Sequence, residues 1–327
     1  MNTKPNILFT ATLNSPFIQE DLRMLRSHYN VIEVISSGWR PFITYLKYLR
    51  NVNITFSWFA SVYSSILVFF TKFFSVKSIL ILGGVDVAKE KKYNYGIWNS
   101  WWKSKLVRYG ITHADIVLAV DDSLKHEAIR LAHYDGANIS VVPTGYDSKR
   151  WMPEGKKQQF VLSVGSVSDL PRLKAKGLDI LFDIATHMSD VSFVVIGLAE
   201  RLRQQLVIPA NVRCLPVLPQ EELLHYYQTA KVYCQLSRRE GLPNALCEAM
   251  LCSCIPVGSN KFGIPYAIGD TGFLVDIEDR DEIAQTIRSA LAATEETGMR
   301  ARQRIIDHFP LARREESLRA VIESLLQ

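Results

Sequence analysis

Residues 231–257 most strongly limit what this 327-residue chain can fold into. Lys231-Val-Tyr-Cys-Gln-Leu236 is an apolar run bounded by polar residues and reads as a buried strand. The turn Glu240-Gly-Leu-Pro-Asn244 follows, and Asn244 is placed to cap a helix carrying Ala245, Leu246, Glu248, Ala249 and Met250. Cys254-Ile-Pro-Val257 then reads as a second strand. Strand, helix, strand is the repeating unit of a parallel sheet covered by helices. It places Glu240 in the loop at a strand's C-terminal end and Glu248 in the next helix. In open α/β sheets that edge receives ligands.

The same alternation runs along the chain. Strands are expected at 6–10, 31–35, 54–59, 77–82, 114–120 and from 139, with helices at 20–28 and 124–133, the latter capped by Asp122-Ser123. A second series places strands at 159–164, 191–196 and 212–215, a turn and short strand over 270–275, and helices at 221–230, 281–292, 301–307 and 313–326. Residues 54–71 carry no charge, a length that raises a membrane span. Strand formers at 54–59, then Ser61, Ser64 and Ser65, divide the run into a strand and a buried helix instead. This length suits two α/β domains of about 150 residues each. Ile139-Ser-Val-Val-Pro-Thr-Gly-Tyr-Asp147 supplies a boundary near 144–147.

Charge is unevenly spread. Residues 1–146 hold 16 Lys and Arg against 10 Asp and Glu, while the remainder holds 22 against 23. A basic first half points to an anionic partner such as a membrane surface or a lipid-linked phosphate. Residues 89–108 interleave bases with aromatics, a composition suited to the headgroup zone of a membrane or to a lipid-linked or saccharide acceptor. No nucleic-acid-binding motif accompanies it. The five cysteines form no Cys-x-x-Cys pair and read as small buried residues of a reducing compartment. No secretory signal is visible at the N-terminus, which fits a cytoplasmic protein, peripheral at most on the membrane's inner face. The histidines lack partners at metal or triad spacing, and Asp279-Arg-Asp281 opens a late helix, so neither implies a metal.

With Glu240, the Gly-Leu-Pro turn, Glu248 and the strand after them in view, residues 162–275 resemble the retaining glycosyltransferases of family 4. The resemblance is looser on both sides. It implies a GT-B fold, two Rossmann-like doubly wound domains facing each other across a cleft. Their expected extents are 1–146 on the acceptor side and 147–307 on the donor side, with 308–327 crossing back after the break at Phe309-Pro310.

The resemblance also implies roles. The loop from Gly165 to Lys176 would hold the donor diphosphate, with Lys176 at the family's Lys position. Ser166 stands where an Arg is usual, so Arg172 and Lys174 are displaced candidates. Glu248 would accept hydrogen bonds from the ribose, and Glu240 from the donor sugar, with Gly241, Leu242 and Asn244 beside them. Gly258-Ser-Asn-Lys-Phe-Gly-Ile264 resembles the family's glycine-rich loop with Phe262 in place of a glycine. Gly263 and Ile264 would offer backbone N–H groups to phosphate. No glycine follows the first strand, leaving Asn14 and Ser15 as polar contacts. No His follows Leu82-Gly-Gly84, and Asp86 is its substitute as a sugar contact, unless it caps the turn. The implied reaction moves a sugar from a nucleotide-diphosphate sugar to a saccharide, lipid-linked or small-molecule acceptor, with retention, no covalent nucleophile, no cofactor and no essential metal. Alternatives are a nucleotide-sugar epimerase, a glycoside hydrolase working through two carboxylates, and a non-catalytic partner subunit that binds nucleotide-sugar.

Overall fold

The computed structural model describes residues 4–36 and 40–327. These divide into two compact units, one of residues 1–144 with 312–327, the other of Gly145–Leu311.

In the first unit the order is β1 (Asn6–Ala11), α1 (Pro16–His28), β2 (Asn30–Ile35), α2 (Arg40–Tyr48), β3 (Ile54–Trp58), α3 (Val62–Phe74), β4 (Lys77–Leu82), α4 (Trp101–His113), β5 (Ile116–Ala119), α5 (Asp122–Ala132) and β6 (Ile139–Val141). All pairings are parallel, in the order β2-β1-β3-β4-β5-β6. Every residue of β3 is buried, because helices cover both faces of such a sheet. The uncharged run 54–71 is thus β3 followed by α3, which a Ser61–Ser64 capping box starts. Among the described residues no helix is long and apolar enough to cross a membrane. Leu8, Tyr45, Leu49, Leu67 and Val76 form part of the core.

α14 (Leu311–Leu326) completes this unit through a buried ion pair. Arg314 Nε and Nη2 donate to the two carboxylate oxygens of Asp21 at 3.1 and 2.7 Å, and Trp58 Nε1 donates to the same carboxylate at 3.0 Å. Arg314 Nη1 caps the carbonyl of Val142 at 2.6 Å. A fork of five donors is what lets a buried guanidinium satisfy several acceptors at once.

The second unit runs β7 (Gln158–Val167), α6 (Leu170–Ala175), α7 (Leu178–His187), β8 (Ser192–Leu198), α8 (Glu200–Arg203), β9 (Val212–Leu215), α9 (Gln220–Thr229), β10 (Ala230–Gln235), α10 (Asn244–Leu251), β11 (Ile255–Ser259), α11 (Gly263–Ile268), β12 (Phe273–Val275), α12 (Arg280–Ala292) and α13 (Glu295–His308). Its parallel sheet has the order β12-β11-β10-β7-β8-β9. Val161, Leu181, Phe193, Val232 and Ile287 lie in one core. Four of the five cysteines are buried and all five are free thiols.

Two caps differ from expectation. Asp121, not Asp122, caps α5, accepting from the N–H of Ser123 and Leu124. Pro243, not Asn244, precedes α10, and no side chain caps that helix. Proline's fixed φ suits a helix start, so Asn244 becomes the first helical residue and its amide is free for another partner.

Candidate functional site

Strand order reverses between β7 and β10 in the second unit, since β8 follows β7 on one side and β10 enters on the other. The loops leaving the C-terminal ends of those two strands therefore border the crevice where such sheets bind ligands. They are the loops that carry Lys176 and Glu240.

The two loops are stitched together by backbone. Arg238 N–H donates to Ala175 O at 2.8 Å, and Arg238 Nη1 reaches Lys174 O at 2.6 Å while forking onto Asp179. Lys176 ends α6, and Gly177 after it has φ +68°, where a Cβ would stand 1.9 Å from Leu236 O. Only glycine allows that approach. The turn directs Lys176 onto Glu240, and Nζ bonds Oε1. The pair is not fully buried; the side chains are 27% and 16% exposed. Behind it, Gln235 Nε2 donates to Glu240 Oε1 at 3.2 Å and to Ser237 Oγ at 2.7 Å, while Tyr233 O–H holds Gln235 Oε1 at 2.9 Å. This buried chain holds the same carboxylate oxygen, Oε1, that Lys176 bonds. Gly165, in β7, lies against the aliphatic stem of Lys176.

Glu248 sits elsewhere on α10, with different partners. Tyr227 O–H donates to its Oε2 at 3.1 Å. Burial pushes its carboxyl up to about 7, against the Tyr227 hydrogen bond and the charge of Arg150. Asn244, on the first turn of the same helix, accepts from Tyr146 O–H at 2.9 Å. Gly241 and Leu242 are buried in the intervening loop.

The remaining candidates separate from this group. Arg172 and Lys174 are exposed; Arg172 lies 3.7 Å from Asp169, the cap of its own helix. Gly263 and Ile264 are buried at the start of α11, where the Ile264 N–H makes a long 3.3 Å turn bond to Lys261 O. Phe262, just before them, has φ +50°, the conformation for which a glycine is the easy residue. Its ring lies 4.3 Å from the guanidinium of buried Arg239.

Asp86 belongs to the first unit and serves its own loop. It is 2% exposed, and its carboxylate accepts the N–H groups of Ala60, Gly83 and Gly84 at 2.6–3.2 Å. Those bonds occupy the oxygens that a sugar hydroxyl would need; here the turn-capping alternative is the one the geometry builds. Among Asn14 and Ser15, Asn14 Oδ1 accepts from Gln19 at 2.8 Å, and Ser15 opens α1 without a side-chain cap bond. Asp279 caps α12 through the Glu282 N–H at 2.9 Å. Among the described residues no group of His, Cys, Asp or Glu is placed to hold a metal ion.

Sequence reasoning missed Tyr146, Tyr227, Gln235 and Arg239. Only Arg239 carried a local signal, its place beside Glu240.

Residues 148–307 match the family model described as Glycosyl transferases group 1. O-antigen chain mannosyltransferase B of Escherichia coli is 25% identical over 211 residues, covering 58% of this chain and 55% of that protein. The chain spans about half the length of the curated relatives it matches. Sucrose-phosphate synthase from Thermosynechococcus elongatus superposes with a TM-score of 0.80 at 14% identity, covering 99% of each chain. Anabaena HepE in complex with UDP-glucose gives 0.76 at 14% identity, covering 98% of this chain and 100% of that one. The chain has the GT-B fold.

Proposed function

We propose that this protein is a retaining glycosyltransferase of the family 4 type, moving a sugar from a nucleotide-diphosphate donor to a saccharide, lipid-linked or small-molecule acceptor. The observation that carries this reading is the Lys176–Glu240 pair at the β7/β10 reversal, inside the segment that matches the glycosyltransferase model. Departure of the nucleotide places negative charge on a diphosphate. A partly exposed ammonium set at the strand ends is suited to meet that charge without reorganising at the moment of reaction. A diphosphate competes well for Lys176, and as Lys176 turns to phosphate, Glu240 is released to accept hydroxyls of the donor sugar.

Glu248 has the character of a hydroxyl-binding carboxylate. Tyr227 supplies one hydrogen bond, and the ribose hydroxyls would supply the others. Binding thereby favours the ionised form of a group that burial holds partly protonated near neutral pH. Neither glutamate is assigned proton transfer; both position the donor. The reaction as written needs no metal, because Lys176 answers the leaving-group charge and Asp279 is committed to its helix. Chelator-treated protein should therefore keep its activity.

The test is turnover across UDP-, GDP- and ADP-sugars with Lys176→Ala and Glu248→Ala beside the parent chain. Both changes should cut transfer sharply. Undiminished transfer in both refutes the assignment, and release of a free epimer without acceptor would replace it with an epimerase.

A further inference from the structure

Two helices of the first unit carry a surface that donor chemistry leaves unused. α3 and α4 are successive crossovers on one parallel sheet and lie side by side. At their crossing, a side chain on Gly110 would stand 2.4 Å from Ser65 Oγ, so glycine sets the close approach. Their inner faces supply Leu67, Val68, Val107 and Ile111 to the core.

The outer faces are aromatic and basic. Trp101 is 72% exposed and Trp102 45%. Lys105 Nζ lies 5.0 Å from the Trp101 ring and Lys103 Nζ 5.5 Å from the Trp102 ring. Trp98, by contrast, is buried and donates to Asp86 O at 2.7 Å, so burial was available in this segment and the next two tryptophans were left out of it. Two turns further along α4, the Tyr109 ring meets Phe69 of α3 at 5.9 Å, and Phe69 meets the exposed Phe73 at 5.1 Å.

Charge on this face has one sign. Residues 91–113 contain Lys91, Lys92, Lys103, Lys105 and Arg108 and no Asp or Glu. The acids at either end are engaged. Glu90 acts on Arg130, which Glu127 also holds, and Asp115 accepts from Ser78 and Lys72.

We propose that the outer face of α3 and α4 docks this protein onto a bilayer bearing anionic phospholipid headgroups. Trp101 and Trp102 enter the headgroup layer, where an indole is better placed than in water. Lys103, Lys105 and Arg108 meet the lipid phosphates around them. A second copy of the chain is the poorer occupant, because a two-fold contact would set this basic face against itself. The inference rests on the surface alone and holds whatever the donor proves to be.

The experiment is cosedimentation of the full chain with phosphatidylcholine vesicles, with and without phosphatidylglycerol. Binding is expected only to the anionic vesicles and should weaken with added salt. Replacing Lys103, Lys105 and Arg108 by Gln should lower partitioning by about a hundredfold, at roughly fivefold per base. Trp101→Ser with Trp102→Ser should lower it at least about tenfold. All these side chains are exposed, and circular dichroism should show both variants folded. Failure of the parent chain to bind anionic vesicles overturns the proposal, as does binding that survives both variants. Dimerisation that the same changes abolish, without vesicle binding, would assign the face to a second copy instead. Nucleotide-sugar turnover measured without vesicles keeps this result apart from the donor reading.

Discussion

The two sheets share a topology but use their reversal points differently. In the second unit, the β7/β10 edge holds Lys176 and Glu240 as a pair that keeps contact with solvent. In the first, reversal falls between β1 and β3, and the charge nearby has been taken inside: Arg314 and Asp21 are 1% and 3% exposed and bind each other, Trp58 and a main-chain carbonyl. Across the two strands Thr10 and Ser57 satisfy each other at 2.8 Å. Charge that stays partly exposed can exchange one partner for another. Charge that is buried among fixed partners has no such freedom, and its removal is a structural event. The same fold thus supplies one edge suited to chemistry and one edge locked for stability.

Breaking the locked edge should give the largest effect. Arg314→Ala leaves Asp21 buried without its counter-charge and should cost about 3–5 kcal/mol of stability. Denaturation followed by tryptophan fluorescence reports it directly, since Trp58 donates to that carboxylate. Nucleotide-sugar affinity below the unfolding transition should be unchanged. A matching loss of affinity would erase the contrast between the edges. The second-largest effect reverses the pattern. Lys176→Ala should lower transfer by about a hundredfold or more, roughly 3 kcal/mol, while stability changes little because its pairing is solvent-accessible. Comparison of kcat/KM with the melting temperature separates the two outcomes.

The local signals that placed these edges were strong, and the pairings across them were invisible. Residues 77–82 and 212–215 were expected as strands and are strands with those limits, because β-branched and apolar runs ended by glycine or proline leave little choice. Caps missed by one position. Asp121, Asp122 and Ser123 all favour a helix start, and Pro243 competes with Asn244, so only backbone geometry decides. The helix at 301–307 proved to begin at Glu295, because its first turns lack an apolar stripe of their own. Asp86 had two readings that no neighbour could separate; three amides arranged by the fold chose between them. Tyr227 and Glu248 are 21 residues apart, and Tyr146 and Asn244 are 98 apart. Such contacts depend on register between elements, which one sequence does not display.

Glu248 sharpens the contrast through pH. Its carboxyl titrates at about 7 in the folded chain against 4.5 ordinarily. Below 4.5 both folded and unfolded chains are protonated. Between 4.5 and 7 the folded chain keeps a proton that the unfolded chain has released, so stability falls as pH rises through that window and then levels off. On the role proposed for Glu248, donor binding should run the other way, because ribose hydroxyls would need the carboxylate. Glu248→Gln should remove the slope and raise stability at pH 8 by about 2–3 kcal/mol, the shift being discounted for the side chain's remaining exposure. It should also weaken donor binding and flatten its rise near pH 7. Calorimetric titration of nucleotide-sugar at several pH values, beside denaturation curves, tests both signs.

Tyr146 should give the smallest effect and the finest distinction. Its N–H donates to Phe309 O and its C=O accepts from Leu311 N–H, so the main chain is anchored independently of the side chain. The hydroxyl alone reaches Asn244, on the helix that carries Glu248. Tyr146→Phe removes that bond, together with the hydroxyl's contact with the Cys247 thiol, and keeps the ring, which limits the cost to about 1 kcal/mol. If the bond only holds the fold together, stability should drop by that amount and donor KM should not move. If it sets the start of α10 for donor binding, KM should rise about fivefold, with kcat at saturating donor unchanged. The second outcome is expected. Asn244 has no cap to form once Pro243 precedes it, and its amide oxygen accepts from Tyr146 instead. Asn244→Asp keeps an acceptor for the hydroxyl and should retain the parent KM far better than Asn244→Leu, a difference that packing alone would not produce.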